Sequence, residues 1–336
     1  MIENPLYITG SAPVNNPVEI IFSLLYCKCG FVYEVPKCAP IENGWGEISV
    51  TYLQERDLYP IPDSIDFLWL ALTEKTVYSI EDKINVELIN EKINLLRKGD
   101  DSIYIIVGYA PYGLVCLWIH NKQKTSIIYK GYAEIKLGSD DIYPFLTPHR
   151  SVSDYCNRQL KKQKRLLPSH DLFDNYMKQF TYRYLVLFEK CEEGKWTKYK
   201  QECISEFDYI EEMLFDGTHD KLHDGSLLKC HQAGKPKKIA IKWYIGKSEY
   251  SAYLWFEDER IREVFDKFYG AHPDTKTDFI IRIDAENRKY ELALYRYGLK
   301  EPQVISEDVY QLLVFKNKFE DYRSDNYNQE RGAWIW

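Results

Sequence analysis

From Ile65 to Leu72 the chain alternates loosely and then runs continuously apolar (IDFLWLAL), which predicts a strand with a buried face. Ile239 to Ile245 (IAIKWYI) reads the same way. A helix is expected after each strand. In the later one Ile261, Val264, Phe265 and Phe268 fall at i, i+3, i+4 and i+7, behind acidic residues at 257–259 where the helix dipole favours negative charge. In the earlier one Ile84, Leu88, Leu95 and Leu96 share a face, and Gly99 stands where a C-terminal glycine belongs. Paired apolar strands follow each helix, at 103–108 with 114–119 and at 278–283 with 290–295, and a third strand is expected over 125–135. Ser205 and Asp208 resemble a capping box ahead of Gly217, so a separate helix is predicted over 205–216; another is expected from Asn157 to Arg165.

The halves repeat one another. Pro62 matches Pro236 and Trp69 matches Trp243; with a one-residue insertion Glu74 then meets Glu249 and Tyr78 meets Tyr253. Further on, Tyr104-Ile105-Ile106 corresponds to Phe279-Ile280-Ile281, SDDIY (139–143) to SEDVY (306–310), and Asp154-Tyr155 to Asp321-Tyr322. The repetition predicts two tandem, related α+β domains, 1–165 and 166–336, each an antiparallel β-sheet with one main covering helix.

Composition narrows the function. Twenty-eight Tyr and eight Trp favour surfaces that are part apolar and part wet, and the net charge of −7 counts against a nucleic-acid partner. The basic run Lys161, Lys162, Lys164 and Arg165 reads as the solvated face of a connecting helix. Met1-Ile2-Glu3-Asn4 has no positive leader pattern, Tyr26 before Cys27 does not suit a lipoprotein site, and no run of 18 apolar residues spans a membrane. A cytoplasmic protein with reduced thiols and no membrane partner is expected. Cys27 and Cys29 are placed on one face at a strand end, and Cys-x-Cys with Cys38 lacks zinc-knuckle spacing.

Candidate chemistry is sparse. GYAPYG (108–113) lacks the Gly-Lys-Ser/Thr ending of a P-loop, so it is expected to be a hairpin turn, with Tyr109 and Tyr112 available to a partner. His219 and His223 lie in THDKLHD, expected to be an exposed polar loop without metal. Glu74 with Tyr78 and Glu249 with Tyr253 form a recurrent pair, read as a strand face on which Tyr packs and Glu reaches solvent. His120, His149 and His272 are scattered, so no catalytic residue and no cofactor is assigned. Trp334 and Trp336, in GAWIW, are candidate partner anchors.

Pro17-Val18-Glu19-Ile20, Trp45-Gly46, Pro62 to Trp69, TEKTVY (73–78) and IIVGYAPYGLVCLW together resemble a bacterial domain family of unknown function. Many of its members are lipoproteins or lie beside type VI secretion effector genes. The resemblance spans about residues 12–136 and, in diverged form, 235–310. It implies an immunity protein that neutralises an antibacterial toxin by binding it, and the mechanism expected here is steric, by covering the toxin's active site. The expectation is therefore a non-enzymatic protein-binding protein. The alternative is a hydrolase or small-ligand protein, with carbohydrate as one ligand class, using a cleft between the domains.

Overall fold

The computed structural model describes the chain except for residues 1–4, 38–39, 53–57, 97–101, 137–150, 162–164, 199–205, 224–228, 246–247, 271, 285–288, 297 and 319–336. It is mostly β, with four α-helices among the described residues, and so belongs to the α+β class. Two compact units emerge: residues 1–177 with 216–219, and residues 178–215 with 220–336. The division therefore falls after Met177 rather than at 165, and a short later segment belongs to the first unit.

The first unit contains β1 (Leu6–Ser11), β2 (Val18–Tyr26), β3 (Val32–Glu34), β4 (Thr51–Tyr52), β5 (Ser64–Ala71), β6 (Thr76–Lys83), α1 (Val86–Leu96), β7 (Ile103–Tyr109), β8 (Leu114–His120), β9 (Lys124–Tyr132), β10 (Glu134–Ile135), α2 (Val152–Gln159) and α3 (Leu172–Tyr176). Its strands run in two orders, β10-β6-β5-β2-β3 and β9-β8-β7-β1-β4. This corrects the expected single antiparallel sheet. The chain leaves one sheet after β6, crosses through α1 and enters the other at β7, where β1 lies parallel to it from Leu6↔Ile103 to Ser11↔Gly108. The core gathers Ile65, Phe67 and Trp69 of β5, Ile105 and Val107 of β7, and Ile89, Ile93 and Leu96 of α1. The helix stripe is thus 89, 93 and 96, whereas Leu95 is exposed and Gly99 lies outside the described residues.

The apolar run in β5 is buried on both sides. Its other face presents Leu68 and Leu70, which pack with Leu72, Val77 and the Cys156 and Leu160 side of the α2 region. Helix α2 starts where Ser151 accepts a hydrogen bond from the Asp154 amide (3.2 Å) and ends at Gln159, short of the expected Arg165. Lys161 falls in a turn at φ 50°, Arg165 pairs with Glu42, and Lys162 and Lys164 lie outside the described residues.

The second unit contains β11 (Phe180–Glu192), β12 (Lys195–Lys198), β13 (Glu206–Leu214), β14 (His219–His223, whose first residue is counted with the first unit), β15 (His231–Ala233), β16 (Pro236–Ile245), β17 (Ser248–Phe256), α4 (Asp258–Tyr269), β18 (Thr277–Asp284), β19 (Tyr290–Arg296), β20 (Gln303–Ile305) and β21 (Tyr310–Lys318). Its orders are β21-β17-β16-β13-β14 and β12-β11-β18-β19-β20, with β15 on β11. β11 runs parallel to β18. The predicted α4 stripe is present: Ile261, Phe265 and Phe268 are buried, Val264 packs beside them, and Glu257 caps the first turn through the Arg260 amide (2.8 Å).

The helix expected over 205–216 is instead strand β13. Ile210, Glu212 and Leu214 point inward at a spacing of two, and the capping pattern at Ser205 and Asp208 does not outweigh that burial. Among the described residues no helix is long and apolar enough to cross a membrane.

Candidate functional site

The turn between β7 and β8 is built around a carboxylate. Tyr112 (φ 62°) and Gly113 (φ 76°) both adopt left-handed backbone, which lets the chain reverse within Pro111–Gly113. The Tyr112 amide donates to Glu74 Oε1 (3.0 Å), and the Tyr78 hydroxyl donates to the same oxygen (2.9 Å). Burial pushes the Glu74 carboxyl up, while these two hydrogen bonds pull it back toward the charged form. The Tyr112 hydroxyl in turn donates to the Pro168 carbonyl (2.7 Å), and its ring lies 4.7 Å from that of His170. Three of the singled-out residues, Glu74, Tyr78 and Tyr112, therefore converge, although Glu74 turns inward from the β5–β6 turn rather than reaching solvent. A Cβ on Gly113 would stand 2.9 Å from the Ala133 carbonyl oxygen and 3.0 Å from the Tyr78 ring. Gly113→Ala is accordingly expected to lower stability by about 1–3 kcal/mol, read as a fall in the urea midpoint at unchanged slope.

Tyr109 is fully buried, and its hydroxyl contacts Ser23 Oγ (2.5 Å), so it is core and not a partner contact. Gly108 makes room for the Trp118 ring, which an added Cβ would overlap. Glu249 and Tyr253 do not reproduce the Glu74–Tyr78 pair. Glu249 is bound by Lys242 (2.8 Å) and accepts from the Tyr244 hydroxyl (3.3 Å). Strand register sets Tyr78 opposite Trp69 and Tyr250, not Tyr253, opposite Trp243. The rings stack in both places, at 5.5 Å and 5.7 Å between centroids. The β16–β17 turn is two residues shorter than the β5–β6 turn, so Glu74 has no counterpart in it. A similar one-residue slip affects Tyr104-Ile105-Ile106. Ile103, Ile105 and Val107 face the first core as Phe279, Ile281 and Ile283 face the second.

Cys27 is buried in the turn after β2 and Cys29 is exposed, so they do not share a strand face; Cys38 lies outside the described residues. THDKLHD carries strand β14, not a loop. Four residue steps along a strand separate His219 from His223 by about 13 Å, too far to share an ion. His120 is not isolated. Its ring lies 6.4 Å from that of His219, and burial, with His219 nearby, lowers its pKa to about 4. Trp334, Trp336, the segment 139–143 and Asp321-Tyr322 lie outside the described residues.

A buried polar cluster in the second unit is one that sequence reading missed. Glu212 points into the core of the second unit at 1% exposure. The hydroxyl of Tyr184 donates to its Oε2 (2.6 Å), and His231 Nε2 lies 3.3 Å from its Oε1. The Tyr182 hydroxyl, 3.5 Å from Oε2, donates more closely to the Gly234 carbonyl (2.9 Å). Burial alone drives the His231 imidazolium pKa down, but the hydrogen bond and charge of Glu212 leave it above its ordinary value. Burial and the adjacent carboxylate push Tyr184 far up, so it stays a neutral donor. Close by in sequence, Lys235 is fully buried with its ammonium 5.0 Å from the Phe180 ring, and burial lowers its pKa to about 8. The available signals were the alternation in TYRYL (181–185) and one acidic residue at an inward position of β13.

A family model described as a protein of unknown function, DUF2931, matches residues 6–184, more than half of the chain. The chain belongs to the DUF2931 family. The DUF2931 match takes in β1 to α3 and the first part of β11. No curated protein and no solved structure matches the chain.

Proposed function

We propose that this DUF2931 protein is a non-enzymatic protein-binding protein made of two divergent copies of one α+β unit, with its contact face on the second copy. Three features support the duplication. Each unit passes through the same succession of sheets, with a parallel pair (β1/β7, β11/β18) on either side of one crossover helix. A β-bulge interrupts β2 between Ile20 and Phe22 and interrupts β13 between Phe207 and Tyr209. Each bulge begins opposite the tryptophan of the stacked Trp–Tyr pair.

The observation that carries the function is the outer face of β13-β16-β17-β21. In the first unit the matching positions are Leu68 and Leu70, beneath α2. In the second they are Lys242 and Tyr244, and beside them Tyr253 stacks on Trp255 (5.9 Å), meets Phe315 edge-on (5.8 Å) and receives the Lys238 ammonium at 5.4 Å. These side chains are half-buried and stand outside the apolar core cluster of the second unit. Aromatic rings mixed with lysine stems suit a surface that is wet when free and dry when bound. Glu212 and Glu249 are held by the protein's own Tyr, His and Lys groups, which argues for structure rather than acid–base catalysis. A cytoplasmic immunity role fits this reading, with a secreted toxin as partner, and the net charge of −7 would speed encounter with a basic one.

The test is co-purification with the products of neighbouring genes, together with protection of cells that express them. Tyr253→Ala with Trp255→Ala is expected to weaken binding by about 30-fold or more while the fold is kept. Failure to bind or protect against any neighbouring product would overturn the reading. If the double variant instead abolishes retention on a polysaccharide matrix, the face serves a sugar ligand.

A further inference from the structure

We propose that β15 is a pH-responsive strap, held on β11 by the pairing of His231 with Glu212 and loosened as the pH rises. The strap is short, pairing Ala233, Gln232 and His231 with Phe180, Thr181 and Tyr182. Three backbone positions give a strand little hold of its own, so side-chain anchors decide how firmly it docks. Among the described residues three such contacts hold it: Tyr182 to the Gly234 carbonyl, His231 to Glu212 and, at the exposed side and longest, Gln232 to Asp274 (3.5 Å).

The geometry at His231 favours the doubly protonated ring. One ring nitrogen faces the Glu212 carboxylate, and the ring also bonds the backbone of Lys229. Both neighbours are acceptors, so imidazolium satisfies both, whereas a neutral ring has only one N–H to offer. Its side chain remains 28% exposed, so protons reach it from solvent. The groups facing it are Glu212 from β13, Tyr182 and Tyr184 from β11, and the charge of Asp220 from β14. Arg183, next to both tyrosines, is engaged by Asp278 instead (2.6 Å).

The sign follows from the raised native-state pKa. Strap docking is strongest below about 6.5, where His231 is protonated whether docked or free, and weakens as the pH climbs through the raised value. The first unit shows no such pair where its strands run comparably: Leu25 lies opposite Ile65 as Glu212 lies opposite Ile239, and the inward residues of β1 include the apolar Leu6 and Ile8.

Amide hydrogen exchange on the full chain between about pH 6 and about pH 9, corrected for intrinsic rates, tests this directly. Protection at residues 231–234 is expected to fall about tenfold for each unit by which the His231 pKa is raised, while β16 stays constant. His231→Gln should flatten the response. Should that variant fold poorly, NMR titration of His231 in the unaltered protein decides: a midpoint above the free-histidine value supports the strap. A midpoint at or below that value, or pH-independent protection at 231–234, overturns it.

Discussion

Trp118→Ala is expected to destabilise the protein by about 3–5 kcal/mol, the largest effect of any single truncation considered. The indole is fully buried on β8, a central strand of the first unit. Its edge meets Trp45 at 4.7 Å and 85°, and Gly108 and Gly217 both leave room for it. Its Nε1–H donates to the Asp216 carbonyl (3.1 Å), which ties the segment 216–219 to the unit that otherwise ends at Met177. Truncation would open a void under that segment and strip a buried carbonyl of its donor, two costs that add. Trp118→Phe keeps part of the volume and loses the donor, so about 1–2 kcal/mol is expected. Urea unfolding with two probes, one reporting on each unit, is the measurement, because a two-unit chain need not unfold in one step. A loss below about 1 kcal/mol for the alanine variant would show that the segment does not depend on this indole.

Why some of this could be read in advance, and some not, follows from the physics of particular segments. Trp69 and Trp243 sit in runs where apolar periodicity and burial agree, so β5, β16 and the crossover helices were legible, whereas β6 and β17, which come between each strand and its helix, were not. β13 was not legible as a strand. Its bulge between Phe207 and Tyr209 breaks the alternation, and Glu212 puts a charge where an apolar residue would be expected. The parallel between Tyr78 opposite Trp69 and Tyr250 opposite Trp243 was hidden by turn length, since the β16–β17 turn has two residues fewer than the β5–β6 turn. Tyr109 was misplaced because a tyrosine's amphipathic side chain does not announce its depth; only the Ser23 partner, far away in sequence, makes its burial possible. Glu74 found Tyr112 the same way, across 38 positions of chain.

Glu212→Leu is expected to cost about 3–5 kcal/mol, even though a leucine, Leu25, is fully buried opposite Ile65 in the first unit much as Glu212 lies opposite Ile239. The loss comes from what remains behind. The Tyr184 hydroxyl would be buried without its carboxylate acceptor and His231 would lose its counter-charge, whereas the inward residues of β1 in the first unit, Leu6 and Ile8, leave no polar group to orphan. Orphaned polar groups, not the missing carboxylate, therefore set the magnitude. Tyr184→Phe combined with Glu212→Leu removes the most deeply buried orphan while keeping the ring volume. The pair should be less damaging than the sum of the single changes by about 1–3 kcal/mol. A double-mutant cycle by urea unfolding at about pH 6 measures that coupling. The double variant should also lose the pH dependence that His231 confers, because Glu212 is the group that raises its pKa. Additivity within about 0.5 kcal/mol would mean the two groups do not act together, and that Glu212 is buried for a reason other than this network. A coupled result together with a near-native double variant would assign the network to holding β15 in one place rather than to net stability.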